Sequence, residues 1–221
     1  HEGLLSLDEQ LEIFNSFKSI ADGSEFTLEV ADDSETALYK RISERESIRD
    51  LTRLMIVRSS NLASNILLEK VSTARVDAFI KGLGIADMAV IRGLEDKKAL
   101  RMNLNNSASA RSSTAMMRLI AEGKVVSQAV CDEMIQILLG QEFNESIPAL
   151  LPADVKVAHK TGWSGDFFHD IGIVFPRNRK PYAISLFTHG FPEDKEREAH
   201  ACMAQVSRII YDEMLVETVD D

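Results

Sequence analysis

The amino-acid sequence predicts an α+β protein in which an all-helical lobe is followed by an antiparallel sheet flanked by helices. The first observation is a cluster of β-forming runs between residues 155 and 188, separated by Gly and Pro, which is typical of a three-stranded meander. The second is a series of segments between residues 47 and 140 with apolar residues at helical spacing. The third is a further apolar stripe after Pro192. We therefore predict a mainly helical lobe over residues 1–152 and a sheet with a terminal helix over residues 153–221.

Composition limits the classes of function that the chain can have. Its 221 residues are 45% hydrophobic and 27% charged, which is typical of a globular chain with one sizeable core or two small lobes. The formal net charge of -10 argues against a nucleic-acid partner, because phosphate binding requires clustered Lys and Arg side chains. No apolar run reaches the length of a membrane span. These observations favour small-molecule or protein chemistry.

Two helices and the turn between them form the first distinctive part of the chain. Ser47 is a suitable N-cap, and apolar residues at helical spacing follow it. A second helix begins near Leu62 and is apolar almost throughout, which predicts the centre of the helical lobe. The tripeptide Ser59-Ser60-Asn61 lies between these helices. Taken alone, it is typical of a cap on the second helix.

Four further helices are predicted from their boundary residues. Three of them precede the sheet, beginning at Thr73, Ser112 and Ser127 and ending at Gly82, Gly123 and Gly140. The first of these should bury one face that carries Val76, Phe79 and Ile80. The last helix follows residues 192–194, and its apolar stripe consists of Ala199, Met203, Val206, Ile210 and Met214.

The most distinctive tripeptide of the predicted sheet is Lys160-Thr161-Gly162, at the end of the first strand. It combines a cation, a hydroxyl and a residue without a side chain, which together can hold an anionic group of a substrate. As a bare tripeptide it is a weak signal. The K-T-G tripeptide becomes a stronger signal because Ser59-Ser60-Asn61, an S-x-N element, lies about one hundred residues upstream.

The S-x-N and K-T-G elements, in this order and at this separation, resemble those of the serine penicillin-recognising enzymes. The surrounding segments M-I-V-R-S-S-N-L-A-S-N-I-L-L-E and H-K-T-G-W-S-G-D-F-F-H-D-I-G-I-V-F-P resemble the corresponding segments of class A beta-lactamases. The resemblance extends from about Leu4 to about Tyr211. It implies a beta-lactamase or DD-peptidase-like fold, a small-molecule beta-lactam or peptidoglycan-like substrate, and a periplasmic or secreted location.

The resemblance also implies a role for each matching residue. Ser59 would relay a proton to the leaving nitrogen with the help of Lys160, and Asn61 would hold the acyl side-chain amide of the substrate. Lys160, Thr161 and Ser164 would bind the carboxylate of the substrate.

Two neighbours on the same strand complete this half of the expected site. The backbone N–H of Trp163 would be one of two oxyanion donors. Gly162 would let the substrate lie against the edge of the strand. The large side chain of Trp163 would narrow the cleft, stack on a ring or pack outward.

The polar stretch of residues 91–106 lacks a clear period, and loops of this length inside compact domains are usually functional. In the family, the omega loop lies here and supplies the glutamate that activates the hydrolytic water. Glu95 is the candidate for that general base, with Asp96 as the alternative. A solvated run of charges is the other interpretation of this stretch.

One element of the family is absent from the sequence, because no serine is followed by Lys three positions later in the S-x-x-K pattern. We therefore expect the native polypeptide to extend before His1, with the nucleophilic serine on the helix that ends there. A missing amino-terminal segment or a second chain would then complete the sheet and the site.

Three functions stay open at this point. The first is hydrolysis of a beta-lactam through a serine acyl-enzyme. The second is a DD-carboxypeptidase or esterase on the same fold, distinguished by whether a deacylating glutamate is in place. The third is a non-catalytic binding protein that keeps the cleft.

The sequence offers little support for a metal or a redox pair. Cys131 and Cys202 lack C-x-x-C spacing, and we interpret both as buried free thiols. His159, His169 and Asp170 lack a third ligand at a suitable spacing. We therefore expect neither a metal nor a cofactor.

Overall fold

The structure is a computed structural model that describes residues 5–216. The packing of its Cα atoms divides the chain into two compact units, His1–Ser109 and Ala110–Asp221. The lobe boundary that we placed at residue 152 stays a prediction. Within residues 5–216, no helix combines the length and the apolar character needed to cross a membrane.

From residue 5 onwards, the first unit contains four α-helices, two short 3-10 helices (Val30–Asp32 and Leu38–Arg41) and six short strands that form antiparallel pairs. The strands are β1 (Gln10–Glu12), β2 (Phe17–Lys18), β3 (Glu25–Phe26), β4 (Arg45–Ser47), β5 (Met88–Ala89) and β6 (Ser107–Ala108). The pairs are β1 with β4, β2 with β3, and β5 with β6. The helices are α1 (Ile48–Val57), α2 (Asn61–Val71), α3 (Thr73–Gly82) and α4 (Lys97–Arg101).

Helix α2 forms the centre of the first unit, as its apolar sequence predicts. Leu62 and Ile66 are 0% and 1% exposed, and they belong to one core cluster with Leu51 of α1. The predicted start of α1 is also confirmed, because the Ser47 side chain accepts a hydrogen bond from the Asp50 N–H at 3.0 Å. A side-chain oxygen at this position satisfies one of the free donors of the first helical turn.

The prediction for α3 was wrong in two respects. Its N-cap is Ser72, which accepts from the Arg75 N–H, whereas Thr73 is the first helical residue. Phe79 is 45% exposed, so the buried face of the helix is narrower than its apolar residues suggest, and Ile80 is the buried residue of the three. A short helix at the surface buries only the residues that its neighbours cover.

Up to residue 216, the second unit contains the meander, three α-helices and the short 3-10 helix Glu193–Lys195. The elements are α5 (Ala110–Ala121), α6 (Gln128–Leu138), β7 (Lys156–Ser164), β8 (Phe167–Phe175), β9 (Tyr182–Thr188) and α7 (Glu196–Val216). The sheet order is β7-β8-β9 with both pairs antiparallel, which confirms the predicted three-stranded meander. The predicted cap Ser127 begins α6, and α5 begins at Ala110, two residues before the predicted Ser112.

Helix α7 packs on the sheet, as predicted, but with a different stripe. Ala199 and Met203 are buried against Phe168 of β8. Val206 and Met214 are each 38% exposed, contrary to the prediction. The buried positions in the second half of the helix include Ser207 and Tyr211; Ser207 Oγ donates to the Ile147 carbonyl at 2.8 Å, and Tyr211 packs in a core cluster.

The two cysteines differ in exposure. Cys131 on α6 is buried, and its Sγ donates to the Val125 carbonyl at 3.3 Å, as expected of a structural thiol. Cys202 is exposed, so the prediction of two buried thiols was wrong for this residue. Cys202 lies on α7 next to the buried Met203, and neighbouring helical residues point in different directions.

Candidate active site

The Ser59-Ser60-Asn61 turn joins α1 to α2 in the first unit. Ser60 is fully buried and caps α2, with its side chain accepting from the Ala63 N–H at 3.2 Å. Ser59 has a φ of 54°, in the left-handed region that residues other than glycine seldom adopt. The Asn61 Nδ2 donates to the Asp32 carbonyl at 3.1 Å. The middle serine is therefore structural, and roles of Ser59 and Asn61 in catalysis stay predictions.

A buried carboxylate that the sequence analysis missed supports this turn. Asp33 Oδ2 accepts from the Leu62 N–H and from the Tyr39 hydroxyl, both at 2.9 Å. A negative charge is favoured at the first turn of a helix, where it faces free N–H groups and the positive end of the helix dipole. Burial, followed by the hydrogen bond to Asp33, raises the pKa of Tyr39 well above its usual range. The tyrosine therefore remains a hydrogen-bond donor to Asp33.

The loop of residues 91–106 is closed at its base by side-chain amides. Asn106 Oδ1 accepts from the N–H groups of Ile91 and Arg92 at 2.8 and 3.0 Å, and its Nδ2 donates to the Arg92 carbonyl at 3.1 Å. Arg92 reaches Asn105 Oδ1 with Nε at 3.1 Å and Nη2 at 2.7 Å. These bonds join the two ends of the loop, as in a compact Ω-loop.

Asn65 of α2 holds the middle of this loop. Its Oδ1 accepts from the Leu94 N–H at 2.7 Å, and its Nδ2 donates to the Leu94 carbonyl at 3.0 Å. A Cβ on Gly93 would lie 3.0 Å from Asn65 Oδ1, so the close approach of loop and helix favours glycine there. The sequence analysis missed Asn65, which lies within an apolar helix as a polar residue 2% exposed.

Glu95 and Asp96 differ sharply in their surroundings. Asp96 is 2% exposed, and its carboxylate accepts from Ser19 Oγ at 2.8 Å and from the N–H groups of Ile20 and Ala99 at 3.0 Å each. Burial acts to raise the Asp96 pKa, but these hydrogen bonds outweigh it and the net pKa is lowered. Glu95 is partly exposed, with its Oε2 3.8 Å from the Nζ of Lys97.

The backbone of Glu95 is also unusual. Its φ of 59° is left-handed, and its carbonyl accepts from the Lys97 N–H at 2.7 Å. Its side chain lines a cavity of about 280 Å³ together with the side chains of Lys97, Lys98 and Arg101. Such strained backbone occurs often at functional sites, which makes this residue a candidate on structural grounds as well.

In the second unit, Lys160 lies on β7 opposite Ile171 of β8. Its ammonium donates to the Thr161 carbonyl at 2.6 Å. Burial lowers the pKa of Lys160 to about 8, and the nearby Asp170 carboxylate acts in the opposite direction. A desolvated ammonium of this kind interacts strongly with an anion that reaches it, because little water screens the charge.

The remaining predicted residues continue along β7. Among the described strands β7 pairs only with β8, so its other edge is free. A Cβ on Gly162 would have no atom within 4 Å, which leaves open space beside the strand. The Trp163 ring is 62% exposed, its Nε1 donates to the Gly165 carbonyl at 3.1 Å, and Ser164 is exposed at the strand end. Thr161 is partly buried.

The candidate residues thus form two groups. The first group lies in the first unit and consists of Ser59, Asn61 and Glu95. Asp32 and Lys97 link the last two residues. The Asp32 carbonyl accepts from Asn61, and the Nζ of Lys97 lies 3.0 Å from Asp32 Oδ2 and 3.8 Å from the Glu95 carboxylate. The other group, at residues 160–164, lies in the second unit. No cluster of three His, Cys, Asp or Glu side chains suited to a metal occurs within residues 5–216.

The comparison with known sequences decides the family. A sequence profile described as the "Beta-lactamase enzyme family" matches residues 1–214. The chain belongs to the beta-lactamase enzyme family. The chain is 27% identical over 179 residues to Beta-lactamase BRO-1 of Moraxella catarrhalis, an alignment that covers 75% of this chain and 55% of that protein.

Solved structures of beta-lactamases and penicillin-binding proteins share the fold. A beta-lactamase from Chitinophaga pinensis is 25% identical to this chain. The superposition has a TM-score of 0.79 and covers 96% of this chain and 78% of that one. The structure of PBP-A is 23% identical, with a TM-score of 0.78, and covers 96% of this chain and 73% of that one. These likenesses confirm the predicted α+β, beta-lactamase-like fold. This beta-lactamase-family chain spans 55–60% of the length of the curated relatives that it matches.

Proposed function

We propose that the protein hydrolyses a beta-lactam through a serine acyl-enzyme, as a class A member of its family. The observation that carries this proposal is Lys160, a desolvated cation on an edge strand beside the open space at Gly162. An extended anionic substrate can lie along this strand and place its carboxylate at the ammonium. The hydroxyls of Thr161 and Ser164 would complete the carboxylate site.

The first unit would supply the proton relay and the acyl-group contacts. Ser59 would pass a proton to the leaving nitrogen. Asn61 is fixed by its bond to the Asp32 carbonyl, which leaves its Oδ1 to accept from the amide N–H of a substrate. The backbone N–H of Trp163 would serve as one of the two oxyanion donors.

Glu95 would be the general base that activates the hydrolytic water. The carboxylate of Asp96 is buried and already accepts three hydrogen bonds, so it is a poor acceptor for a water proton. Glu95 is partly exposed, and its neighbours Leu94 and Asp96 are both held by hydrogen bonds. This arrangement supports Glu95 over Asp96.

The acyl-enzyme requires a nucleophile, which we propose to lie on a polypeptide segment outside residues 5–216. Two features support such a segment. Strand β9 pairs only with β8 among the described strands, so its outer edge can accept another strand. Helix α7 exposes apolar side chains, with Ile209 at 62% and Leu215 at 36% exposure. A segment before His1, or a second chain, would cover both.

The alternative function is that of a carboxypeptidase or esterase that is acylated by beta-lactams but releases the acyl group slowly. The specific observation in its favour is the ion pair of Glu95 with Lys97, because an Nζ that lies 3.8 Å from the carboxylate competes with a water molecule for its oxygens. The two functions use the same S-x-N and K-T-G residues and differ in the rate at which water releases the acyl group.

The deciding experiment compares Glu95→Gln with the parent in the natural full-length protein, incubated with penicillin G. Under the proposal, the parent turns over without accumulating an adduct. The variant acylates and then turns over about a hundredfold to ten-thousandfold more slowly, as is typical for the loss of a general base. The adduct is measured by intact mass, with Glu29→Ala, an exposed residue of the same cavity, as the control.

Other outcomes of this experiment assign the alternatives. A parent protein that itself accumulates the adduct is a carboxypeptidase-like acyl trap. A parent that forms no adduct and hydrolyses nothing is a binding protein. Equal turnover by Glu95→Gln and the parent removes Glu95 from the mechanism.

A further inference from the structure

A buried ionisable pair lies on strands β7 and β8 beside the K-T-G residues and has no part in the proposed chemistry. His159 of β7 and Asp170 of β8 are 1% and 0% exposed. The His159 Nδ1 lies 3.0 and 3.1 Å from the two carboxylate oxygens of Asp170. Asp170 Oδ2 also accepts from the Ile147 N–H at 3.0 Å. Burying two ionisable groups is unfavourable unless they pair, so this arrangement requires an explanation.

The hydrogen-bond partners of His159 indicate which of its ring nitrogens carry a proton. Asn144 Nδ2 donates to the backbone carbonyl of Gln141 at 3.1 Å, and a carbonyl can only accept, so the Asn144 oxygen must point the other way. This oxygen lies 3.2 Å from His159 Nε2. Both ring nitrogens therefore face acceptors, a carboxylate at Nδ1 and an amide oxygen at Nε2. An imidazole in which both nitrogens donate is an imidazolium.

Strands β7 and β8 approach each other closely at His159. Gly172 is the cross-strand partner of His159. A Cβ at Gly172 would lie 2.8 Å from the His159 Cβ and 2.9 Å from the Ala158 carbonyl oxygen, closer than such atoms approach. The position therefore requires glycine for steric reasons, because the Cβ of His159 and the backbone of β7 lie where a side chain would begin.

The pair is adjacent to the proposed anion site in both chain and space. His159 precedes Lys160, and Asp170 is the cross-strand partner of Thr161. Asp170 is also the charged group that acts on the Lys160 ammonium. The other ionisable groups of this region are engaged elsewhere, with His169 Nδ1 bonded to the Phe168 carbonyl and His200 Nδ1 to Ser146 Oγ, at 2.8 Å each.

We propose that His159 is a positioning residue of the site, held as a buried imidazolium between Asp170 and Asn144. Through Asp170 it holds β7 to the segment between α6 and β7 at Ile147, and it compensates the Asp170 charge beside Lys160. The role in positioning rests on the proposed function. The protonation of the ring does not.

The first measurement tests the protonation without any activity. The chain has five histidines, and the ¹⁵N signals of His159 are assigned in labelled full-length protein by their loss in His159→Gln. We expect both ring nitrogens to carry a proton at neutral pH. One protonated and one bare nitrogen would overturn the proposal. If His159→Gln does not fold, assignment through variants of the other four histidines gives the same answer.

The second measurement separates positioning from general folding effects. A substrate that carries a carboxylate, nitrocefin, is compared with a neutral nitrophenyl ester in the same full-length protein. Because His159 acts through Lys160, we expect His159→Gln to lower kcat/KM for nitrocefin by between about tenfold and a hundredfold, and the value for the ester much less. The double variant His159→Gln/Asp170→Asn should recover part of the loss, since it removes both charges. His189→Gln, at an exposed histidine, is the control.

The outcomes remain distinguishable. Equal losses on both substrates, or a double variant that is no better than His159→Gln, would overturn the positioning role. A parent protein that converts neither substrate would refute the proposed function and the positioning role with it, while the ¹⁵N result would still decide the protonation of His159.

Discussion

At the scale of single residues, the proposed binding of the substrate carboxylate depends on the charge of Lys160. Its ammonium is desolvated on β7, and an ammonium in this setting binds a carboxylate more strongly than one in water. Lys156, at the start of the same strand, has the same charge but is exposed. The two lysines therefore form a matched pair for mutation.

We predict that Lys160→Ala in the full-length protein weakens recognition of carboxylate-bearing substrates by about 2–4 kcal/mol, because it removes the charged partner of the substrate. Steady-state kinetics with nitrocefin measure the effect as a fall in kcat/KM. Lys156→Ala should change kcat/KM little. Unchanged kinetics in Lys160→Ala would show that K-T-G is not part of the site.

The pH dependence follows from the lowered pKa of Lys160, about 8 in the folded protein against 10.5 as the ordinary value. The ammonium is present below about 8 and lost above it, so KM for nitrocefin should rise as the pH increases through 8. Between these two values the unfolded chain binds more protons, so this group makes unfolding less favourable as pH rises. A pH-independent KM between 7 and 10 would contradict the assignment.

Asp96 carries a structural prediction at the same scale. Replacing it by Ala leaves the donors of Ser19, Ile20 and Ala99 unpaired in a buried place, and should lower the free energy of unfolding by about 2–4 kcal/mol. Because the folded pKa is lowered, this stabilisation is present above the unfolded pKa and is lost as pH falls through the folded value. Urea unfolding at pH 7 and pH 3 measures both effects, with Glu29→Ala as the exposed control. A loss of similar size at both pH values would argue against the charged carboxylate.

At the scale of elements, strands β7 and β8 contain one glycine each, and these two glycines have opposite requirements. Gly172 lies against His159 and Ala158, whereas Gly162 faces open space. We predict that Gly172→Ala lowers the free energy of unfolding by about 1–3 kcal/mol, as overpacking does in buried sites. Gly162→Ala should leave thermal stability unchanged. Equal melting temperatures for the two variants would mean that β8 shifts away from β7 without cost.

The sequence predicted those elements whose signals are local. The caps at Ser47 and Ser127 and the three-stranded meander were confirmed, because a cap or a strand alternation is contained in a few neighbouring residues. The pairing of β1 with β4 was not predicted, since strands of three residues carry little pattern and these two are 35 positions apart. The second half of α7 was misassigned because a stripe of apolar residues does not reveal which of them a neighbour covers.

In the candidate site, too, features with a local sequence signal were predicted and features that depend on tertiary contacts were not. The positions of Ser59 in a turn and of Lys160 on a strand follow from the sequence. Predicting the pair of His159 with Asp170 requires knowledge of the register between β7 and β8. The hydrogen bonds between Asn65 and Leu94 join residues 29 positions apart. Such contacts depend on tertiary structure, which short-range patterns do not specify.

At the scale of the whole molecule, the exposed apolar side chains of α7 allow a test of the proposed additional segment or second chain. We predict that Ile209→Asp lowers the melting temperature of the natural full-length protein by several degrees, because a charge would be buried in the covered face. In the 221-residue chain it should leave stability unchanged and improve solubility. Phe79→Asp, at a residue of similar exposure on α3, is the control. An Ile209→Asp protein as stable as the parent at full length would show that this face stays open to water.

The steric contact between His159 and Gly172 also restricts how relatives of this protein can diverge. A side chain at Gly172 would meet the Cβ of His159 and the Ala158 carbonyl oxygen, and replacing the histidine by another residue with a side chain would leave both atoms in place. Neutralising Asp170 alone would leave the proposed positive charge of His159 without its partner, and replacing His159 alone would leave the Asp170 carboxylate without its partner. Positions 159 and 170 should therefore change together across the family while Gly172 stays glycine, and mismatched pairs should be rare in natural sequences.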